Sequence, residues 1–558
     1  MSAGQRLVVS ERTASGGHAT ALASETAFQQ AVSLHQLGRL RDAERVYREL
    51  LARNPRSVEA HNNLGHLLGT LGQHDEAAGH YLKAIQIKPD FIEAYLNLGN
   101  TLQALNRHEE AISQYARALD IKPDFADALL NIGNALQTLG RNAEAVAHYR
   151  KALTSRPDYA EGHYHIAMAL EKTGQIDEAV THYERAIAIR PDYVEAYNNL
   201  GNAFRALNRY EEALVQFERA CAIKPSYAEA QWNGGATLLT MGDFKGGWQR
   251  YEWRRLLGVV PSRVAAPIWL GGWDLTGKTI LVYAEQGLGD TVQFARYAPL
   301  VAQRGARVVL EVQPELVSLL KCLRDVSQVC ARGEPLPAVD CQSPLLSLPL
   351  AFGTTLETIP AEVPYIAPSA DKVAQWRREL GPSDMPVVGL KWRSNETTGL
   401  AKSIPLELLS PLLEIRRIRF VALEKDLLPS DAQQLSERRG LTVLADRLHD
   451  FSDTAAIMSL LDVVISVDTS VAHLAGAMAK PLWLPLQFAA DFRWLRDRND
   501  SPWYPSGRLF RQARPRDWTS VVREIAEHLQ NYVKAHAEGD YAAEPRAHGG
   551  FLARANAP

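Results

Sequence analysis

The chain has 558 residues, too many for one hydrophobic core, which implies three or four folding units. With 46% hydrophobic and 22% charged residues and a net charge of −3, it falls among soluble globular proteins and lacks a basic field for nucleic acid or anionic lipid. The cysteines, Cys221, Cys322, Cys330 and Cys341, show no C-x-x-C spacing, which argues against a disulfide or zinc framework and fits a reducing, cytoplasmic compartment.

In chain order, residues 1–24 are polar and rich in Gly, Ser and Thr, with no apolar h-region. A disordered leader is expected there rather than a signal peptide. No apolar run reaches the ~18 residues of a membrane span, so no transmembrane helix is expected. Residues 25–257 then repeat. Pro55, Pro89, Pro123, Pro157, Pro191 and Pro225 stand 34 apart. Tyr47, Tyr81, Tyr115, Tyr149, Tyr183, Phe217 and Tyr251 keep the same register, as do Ala43, Ala77, Ala111, Ala145, Ala179 and Ala213.

Each unit reads helix, short polar turn, helix, proline. In the stretch from Ala94 to Asp124, Gly99 and Ala111 allow two helices to approach, while Leu98 and Tyr115 fill the space between them. Pro123 ends the second helix, because it lacks an N–H and clashes with the preceding turn. Spacing and residues resemble the tetratricopeptide repeat, over about seven units. The last unit, from Gly242, is degenerate: Gly246 and Gly247 replace Glu-Ala, and Trp248 and Trp253 are added. It is expected to join the solenoid to the next domain.

Repeat arrays of this kind bury a continuous core and use a concave groove for binding. Asn63, Asn97, Asn131, Asn199 and Asn233 recur at one position of the first helices, and Asn100, Asn134 and Asn202 three residues later. Asn is a poor interior helix former, and positions three apart share a face. One reading is an amide ladder that holds the backbone of an extended peptide in the groove. The other is that these amides bridge neighbouring repeats. His165 and Met168 interrupt the series. The repeats are similar to those of the O-GlcNAc transferases.

From Lys278 the period changes to strands alternating with helices. Apolar runs at 279–285, 306–312, 386–392, 419–425, 441–446 and 462–468 are predicted strands. Such alternation implies parallel sheets with right-handed crossovers. The Pro-rich stretch from Ile359 reads as a linker between two Rossmann-like lobes, 266–368 and 369–535, and residues 536–558 as a disordered tail. Two facing lobes with a cleft at the carboxyl ends of their strands describe the GT-B architecture. The predicted fold is therefore an all-α solenoid followed by an α/β GT-B unit.

Three motifs fall at strand ends, where open α/β sheets bind ligands. In the first, Ala284 to Pro299, Gly287 and Gly289 permit a tight turn before a helix whose N-terminus attracts anions. Val292 stands where a dinucleotide fingerprint needs a small residue, although Glu311 is placed to bind a ribose, so a nicotinamide site is a weaker alternative. Asp290 reads either as a helix N-cap or as a base facing an acceptor hydroxyl. The run GLGDTVQFARYAPL resembles the first-strand loop of the bacterial heptosyltransferase family. That resemblance implies a catalytic base at Asp290.

The second motif, Gly389 to Leu413, carries Lys391, Arg393 and Lys402 beside a strand end, either as a solvated basic loop or as a cradle for a departing diphosphate. The family resemblance implies that Lys402 holds the donor diphosphate. In the third, a strand ending at Asp468 runs directly into a helix. A hydrolase triad of Asp468, Ser470 and His473 is not expected, because the serine lacks a G-x-S-x-G elbow. The run resembles the family's Asp-Thr-Gly-x-x-His signature, with Ser470 in place of the Gly. This implies that Thr469 and Ser470 lie at the donor phosphates with His473 nearby, and Glu424 is expected at the donor base or ribose. The segment Asp491 to Pro505 is rich in Arg and aromatics and is expected to cover the cleft or enter the core. No D-x-D, HExxH or Cys/His cluster points to a metal.

The sequence thus predicts a metal-independent, inverting glycosyltransferase without a cofactor. Its donor is a nucleotide-sugar, and the repeats recruit a protein or peptide. A scaffold with a silent α/β domain is the alternative.

Overall fold

A computed structural model describes residues 18–260, 262–394, 402–436 and 440–538. The chain divides into two compact units, Met1–Ala203 and Phe204–Pro558. Most of the expected leader lies outside the described residues, but a helix begins at His18, earlier than predicted. A helix also runs over Trp518–Glu538, past the predicted start of the tail, whose remainder lies outside the described residues.

The first unit is all-helical, built from pairs such as Ile92–Ala104 and His108–Ile121. Its period has a steric basis. Tyr115 is fully buried, and a Cβ on Gly99 would lie 2.3 Å from its ring; Gly133 meets Tyr149 in the same way at 2.3 Å. Glycine lets the Tyr115 and Tyr149 rings sit this close between the helices of a pair, while the equivalent position facing the buried Tyr183 is Ala167. The turn after the first helix uses a left-handed residue, Gly72, Gly140 or Gly174, and Asn106 (φ 59°) takes that role where glycine is absent. At Pro89, Pro123, Pro157, Pro191 and Pro225 the cation just before the proline covers the aromatic ring two residues after it, as Arg156 covers Tyr159 at 4.1 Å and Arg190 covers Tyr193 at 4.5 Å.

The second unit opens with the last helices of the repeats. Helices Ala228–Met241 and Phe244–Tyr251 carry the degenerate glycines. A Cβ on Gly247 would lie 2.6 Å from Leu239, and one on Gly235 would lie 2.7 Å from the Tyr251 backbone. This pair therefore packs more closely than a Glu-Ala sequence permits. Its aromatic face is part of the α/β core: Trp248 meets Phe294 and Phe492 edge-on at 6.2 and 5.8 Å, and Phe244 stacks on Trp503 at 6.1 Å. The boundary between compact units falls inside the array, between Ala203 and Phe204.

Two parallel sheets follow. The first contains β1 (Thr279–Tyr283), β2 (Arg307–Val312), β3 (Gln328–Ala331) and β4 (Cys341–Pro344), in the order β3-β2-β1-β4. The second contains β5 (Val387–Lys391), β6 (Arg419–Ala422), β7 (Leu441–Val443), β8 (Val463–Ser466), β9 (Leu482–Leu486) and β10 (Gly507–Arg511), in the order β10-β9-β8-β5-β6-β7. Central strands such as Ile280-Leu281-Val282 are buried on both faces, as parallel sheets require. The Pro-rich stretch between the sheets is not a loose linker. Tyr365 and Ile366 donate backbone hydrogen bonds to the Ala477 carbonyl, and the Tyr365 hydroxyl donates to the Val292 carbonyl.

Candidate functional site

A cavity of about 670 Å³ opens at the carboxyl ends of β1, β5 and β8. This is the range of small-molecule sites, and the position is the one where open α/β sheets hold ligands. The residues following β1 supply Gly287, Gly289 and Asp290 to its wall. Asp290 is the third residue of the helix Leu288–Phe294, and its Oδ2 accepts from the N–H of the N-cap Gly287 at 2.9 Å, as the N3 carboxylate of a capping box does. Its Oδ1 accepts from Arg493. Burial pushes the Asp290 carboxyl above its ordinary range, while the Arg493 guanidinium pulls the other way. A Cβ on Gly289 would lie 2.7 Å from the His473 ring, so glycine is what brings this turn against the helix Ser470–Ala477.

Strand β5 ends in Lys391, which is paired with Glu424. Glu424 is almost completely buried and also accepts from the Trp392 and Arg393 N–H groups at 3.0 and 2.9 Å. Lys391 and Arg393 line the cavity; Glu424 does not. Glu424, expected at the donor base or ribose, holds the end of β5 through these contacts. Arg393 lies 3.6 Å from Asp431, and Lys402 lies 3.0 Å from Asp468. Residues 395–401 of the basic motif lie outside the described residues.

After β8, Asp468, Thr469, Ser470 and His473 all line the cavity. The His473 Nδ1 pairs with the Tyr504 hydroxyl at 3.0 Å, its Nε2 lies 3.9 Å from Asp468, and its ring stacks on Trp494 at 5.3 Å. Burial pushes its pKa down to about 3, against the pull of Asp468, so it is a neutral imidazole at ordinary pH. With Ser470 at the helix start and His473 engaged by Tyr504, no nucleophile-base pair forms.

The sequence reading did not single out Asp491 and Arg493, which share the cavity with Asp290. They sit at the one-turn 3-10 segment Phe492–Trp494, in the Arg- and aromatic-rich stretch. The nearby Trp494 and Trp503 are fully buried core residues. Trp232 and Tyr251, from the last repeat helices, complete the wall beside the Gly287–Asp290 turn. Behind this turn, Arg254 is fully buried and donates to Glu285 at 2.6 Å, to Glu252 at 2.6 Å and to Ser347 at 2.9 Å. Glu311 is also buried, and both its oxygens are held by Arg263 at 2.6–2.7 Å. Among the described residues, no group of three or more His, Cys, Asp or Glu is arranged to hold a metal ion.

The amide series is engaged between helices. Asn63, Asn97 and Asn131 are buried. Asn97 donates to Asn62 of the preceding repeat at 3.0 Å, and Asn131 donates to Asn100 at 2.9 Å. Asn100 and Asn134 accept from Tyr115 and Tyr149 at 2.7 and 2.8 Å, and Asn199 donates to Tyr164 at 3.0 Å. Asn202 and Asn233 are half-buried. His165, where the series is interrupted, stacks on Tyr149.

Family profiles described as tetratricopeptide repeat match residues 28–90, 80–113, 124–192 and 158–226, and one described as TPR repeat matches 99–140. The N-terminal region consists of tetratricopeptide repeats. They are followed by an α/β region with parallel sheets. Among curated proteins, the chain is 26% identical to Protein FlbA of Caulobacter vibrioides over 325 residues, 53% of this chain and 54% of FlbA. The chain thus spans about half the length of this relative. Solved structures similar to the chain include YrrB, described as a TPR protein with an unusual peptide-binding site, at 22% identity, covering 33% of this chain and 95% of YrrB with a TM-score of 0.29. They also include PilF of Pseudomonas aeruginosa, at 19% identity over 38% of this chain and 96% of PilF, with a TM-score of 0.34. A thermophilic TPR protein of Thermus thermophilus is 24% identical over 32% of this chain and 98% of its own, with a TM-score of 0.28. No helix among the described residues is long and apolar enough to cross a membrane.

Proposed function

We propose that the α/β region is a GT-B glycosyltransferase that moves a sugar from a nucleotide-activated donor to an acceptor hydroxyl, and that the repeats recruit a protein acceptor. The reading is carried by one observation: a single cavity holds a carboxylate, Asp290, on one sheet's loop and Lys391, Arg393, Lys402, Thr469 and Ser470 on the other's. Asp290 takes the acceptor proton. The oxygen so freed attacks the anomeric carbon from the side opposite the leaving diphosphate, so the configuration inverts. The cations and the helix start at Thr469 and Ser470 stabilise the charge that builds on the leaving group. Trp232 and Tyr251, from the end of the repeats, line the same cavity as Asp290, which supports delivery of the acceptor from the repeat side.

A second reading, a scaffold with a silent cleft, draws on the ion pairs that already engage Asp290, Lys391 and Lys402. A screen of nucleotide-sugars and NAD by thermal shift on the full chain separates these readings, followed by mass spectrometry of proteins captured on the repeats. A melting temperature raised by one class of nucleotide-sugar supports the enzyme. A shift with NAD alone, or with none of them, supports the others.

A further inference from the structure

Three cations on the donor side of the cavity each have their own carboxylate: Lys391 has Glu424, Arg393 has Asp431 and Lys402 has Asp468, while Lys425 donates to the His449 carbonyl at 3.1 Å. Arg493 is different. It is shared between two carboxylates that line the same cavity, with one nitrogen of its fork on Asp290 and the other on Asp491 at 2.6 Å. Asp491 also accepts from the Arg493 backbone N–H at 3.1 Å. The guanidinium lies over the Phe492 ring at 4.4 Å, its side chain is 8% exposed, and its Nε is buried without a partner. The segment that carries it continues into Leu495 and Asp497, two non-glycine residues in the left-handed region, at φ 53° and 55°. Such strain persists where the surrounding structure holds it and recurs at functional sites.

A carboxylate clasped by an arginine is a poor base. The guanidinium does not deprotonate, and it occupies the lone pair that must receive the proton. We infer that Arg493 is a latch on Asp290: an anionic diphosphate entering the cavity takes up the guanidinium, which stays anchored on Asp491, and Asp290 is released to act as the base. This rests on the glycosyltransferase reading and adds an order to it, donor before acceptor. In the step itself, the acceptor O–H proton moves to Asp290 Oδ1 and the oxygen forms its bond to the anomeric carbon. The bond from that carbon to the phosphate oxygen breaks, and its electron pair leaves with the nucleoside diphosphate, which Arg493 and Lys402 hold. Without a donor, the latched carboxylate cannot activate water or an acceptor. Arg493 is thus a positioning residue for the base, and it becomes a ligand of the leaving group.

The test is proton linkage and needs no turnover. The other titratable groups facing Asp290 are Asp491, Asp468, His473, Lys402 and Tyr251. Subtracting an Asp290→Asn variant removes their contribution and that of the phosphate itself. Pyrophosphate is titrated calorimetrically into the full chain at about pH 6.5, in two buffers of different ionisation enthalpy. If the latch opens, Asp290 loses its cation in a dehydrated pocket and gains basicity, since a neighbouring opposite charge accounts for about 1–3 units. The wild type should then take up more protons than Asp290→Asn at this pH, and the excess should vanish when the titration is repeated at about pH 8, where the released carboxylate is ionised and can serve as the base. Arg493→Lys, which keeps the charge but not the fork, should show a smaller difference, and Arg493→Gln none. Pyrophosphate binding with equal proton counts in the wild type and Asp290→Asn would overturn the latch and leave the donor site standing. No pyrophosphate binding to any form would overturn both.

Discussion

Replacing Glu424 by Gln removes a buried charge and leaves Lys391 without its partner. The two side chains are 1% and 8% exposed, so neither charge is served by bulk water. A Gln oxygen can still accept from the Trp392 and Arg393 N–H groups, which isolates the ion pair as the quantity lost. Breaking a buried pair by removing one partner costs about 3–5 kcal/mol. With a urea m-value near ~2 kcal/mol/M, the transition reporting on this sheet should move down by about 2 M. Tryptophan fluorescence reads it, since Trp392 adjoins the pair and its indole N–H lies 3.3 Å from Asp431. The double variant Lys391→Met with Glu424→Gln should recover much of the loss, because no charge is stranded. A loss below about 1 kcal/mol for Glu424→Gln, the range of exposed pairs, would show that water reaches the pair and refute its burial as the source of the cost.

Gly99→Ala should cost about 1–3 kcal/mol in thermal unfolding of the repeats, since the new Cβ meets the buried Tyr115 ring; an unchanged melting temperature would contradict that packing. Asn131→Ala should cost about 1–2 kcal/mol by losing its bond to Asn100 across the repeat boundary, whereas an amide serving only a bound peptide would leave the free protein's stability unchanged. Burial raises the Glu285 carboxyl to about 7 from 4.5, so between those values the folded state binds more protons than the unfolded state. Its contribution is fullest below about pH 4.5 and is lost as pH rises to 7, and urea midpoints of Glu285→Gln at about pH 5 and 7.5 should differ less than those of the wild type. The His473 imidazole should stay neutral from about pH 5 to 8 in a histidine NMR titration, in keeping with a pKa pushed down to about 3 by burial.

The repeats were legible because their period is enforced sterically: Gly99, Tyr115 and Pro123 each occupy a position few other residues fit. Strands β1, β2, β5, β6, β7 and β8 were legible as Val- and Ile-rich runs. Strand β3 (QVCA) and β4 (CQSP) are four-residue edge strands without that signal, and β10 is also an edge. Pro485 hid β9, although it pairs with Phe510 between β10 and β8. Local chemistry placed Gly287, Gly289, Asp290, Lys391, Arg393, Lys402, Asp468, Thr469, Ser470 and His473 at strand ends, and all of them line the cavity. Two things depended on distant packing. Glu424 follows a strand like the others, but its burial beneath Lys391 turns it into a clamp. Arg493 lies 203 residues from Asp290, and the only hint in the chain was the density of Arg and Asp around it. The asparagines signalled importance by surviving in helix interiors, but their direction is set by the neighbouring repeat.

The most direct test incubates the full chain with a panel of nucleotide-sugars and measures nucleoside diphosphate release and sugar transfer to captured acceptors, for the wild type and Asp290→Asn. Transfer is expected from one donor class, with an Asp290→Asn protein that still binds that donor but transfers about 10²–10⁴-fold more slowly. Transfer that survives unchanged in Asp290→Asn, or a correctly folded wild type that binds no nucleotide-sugar, would contradict this expectation.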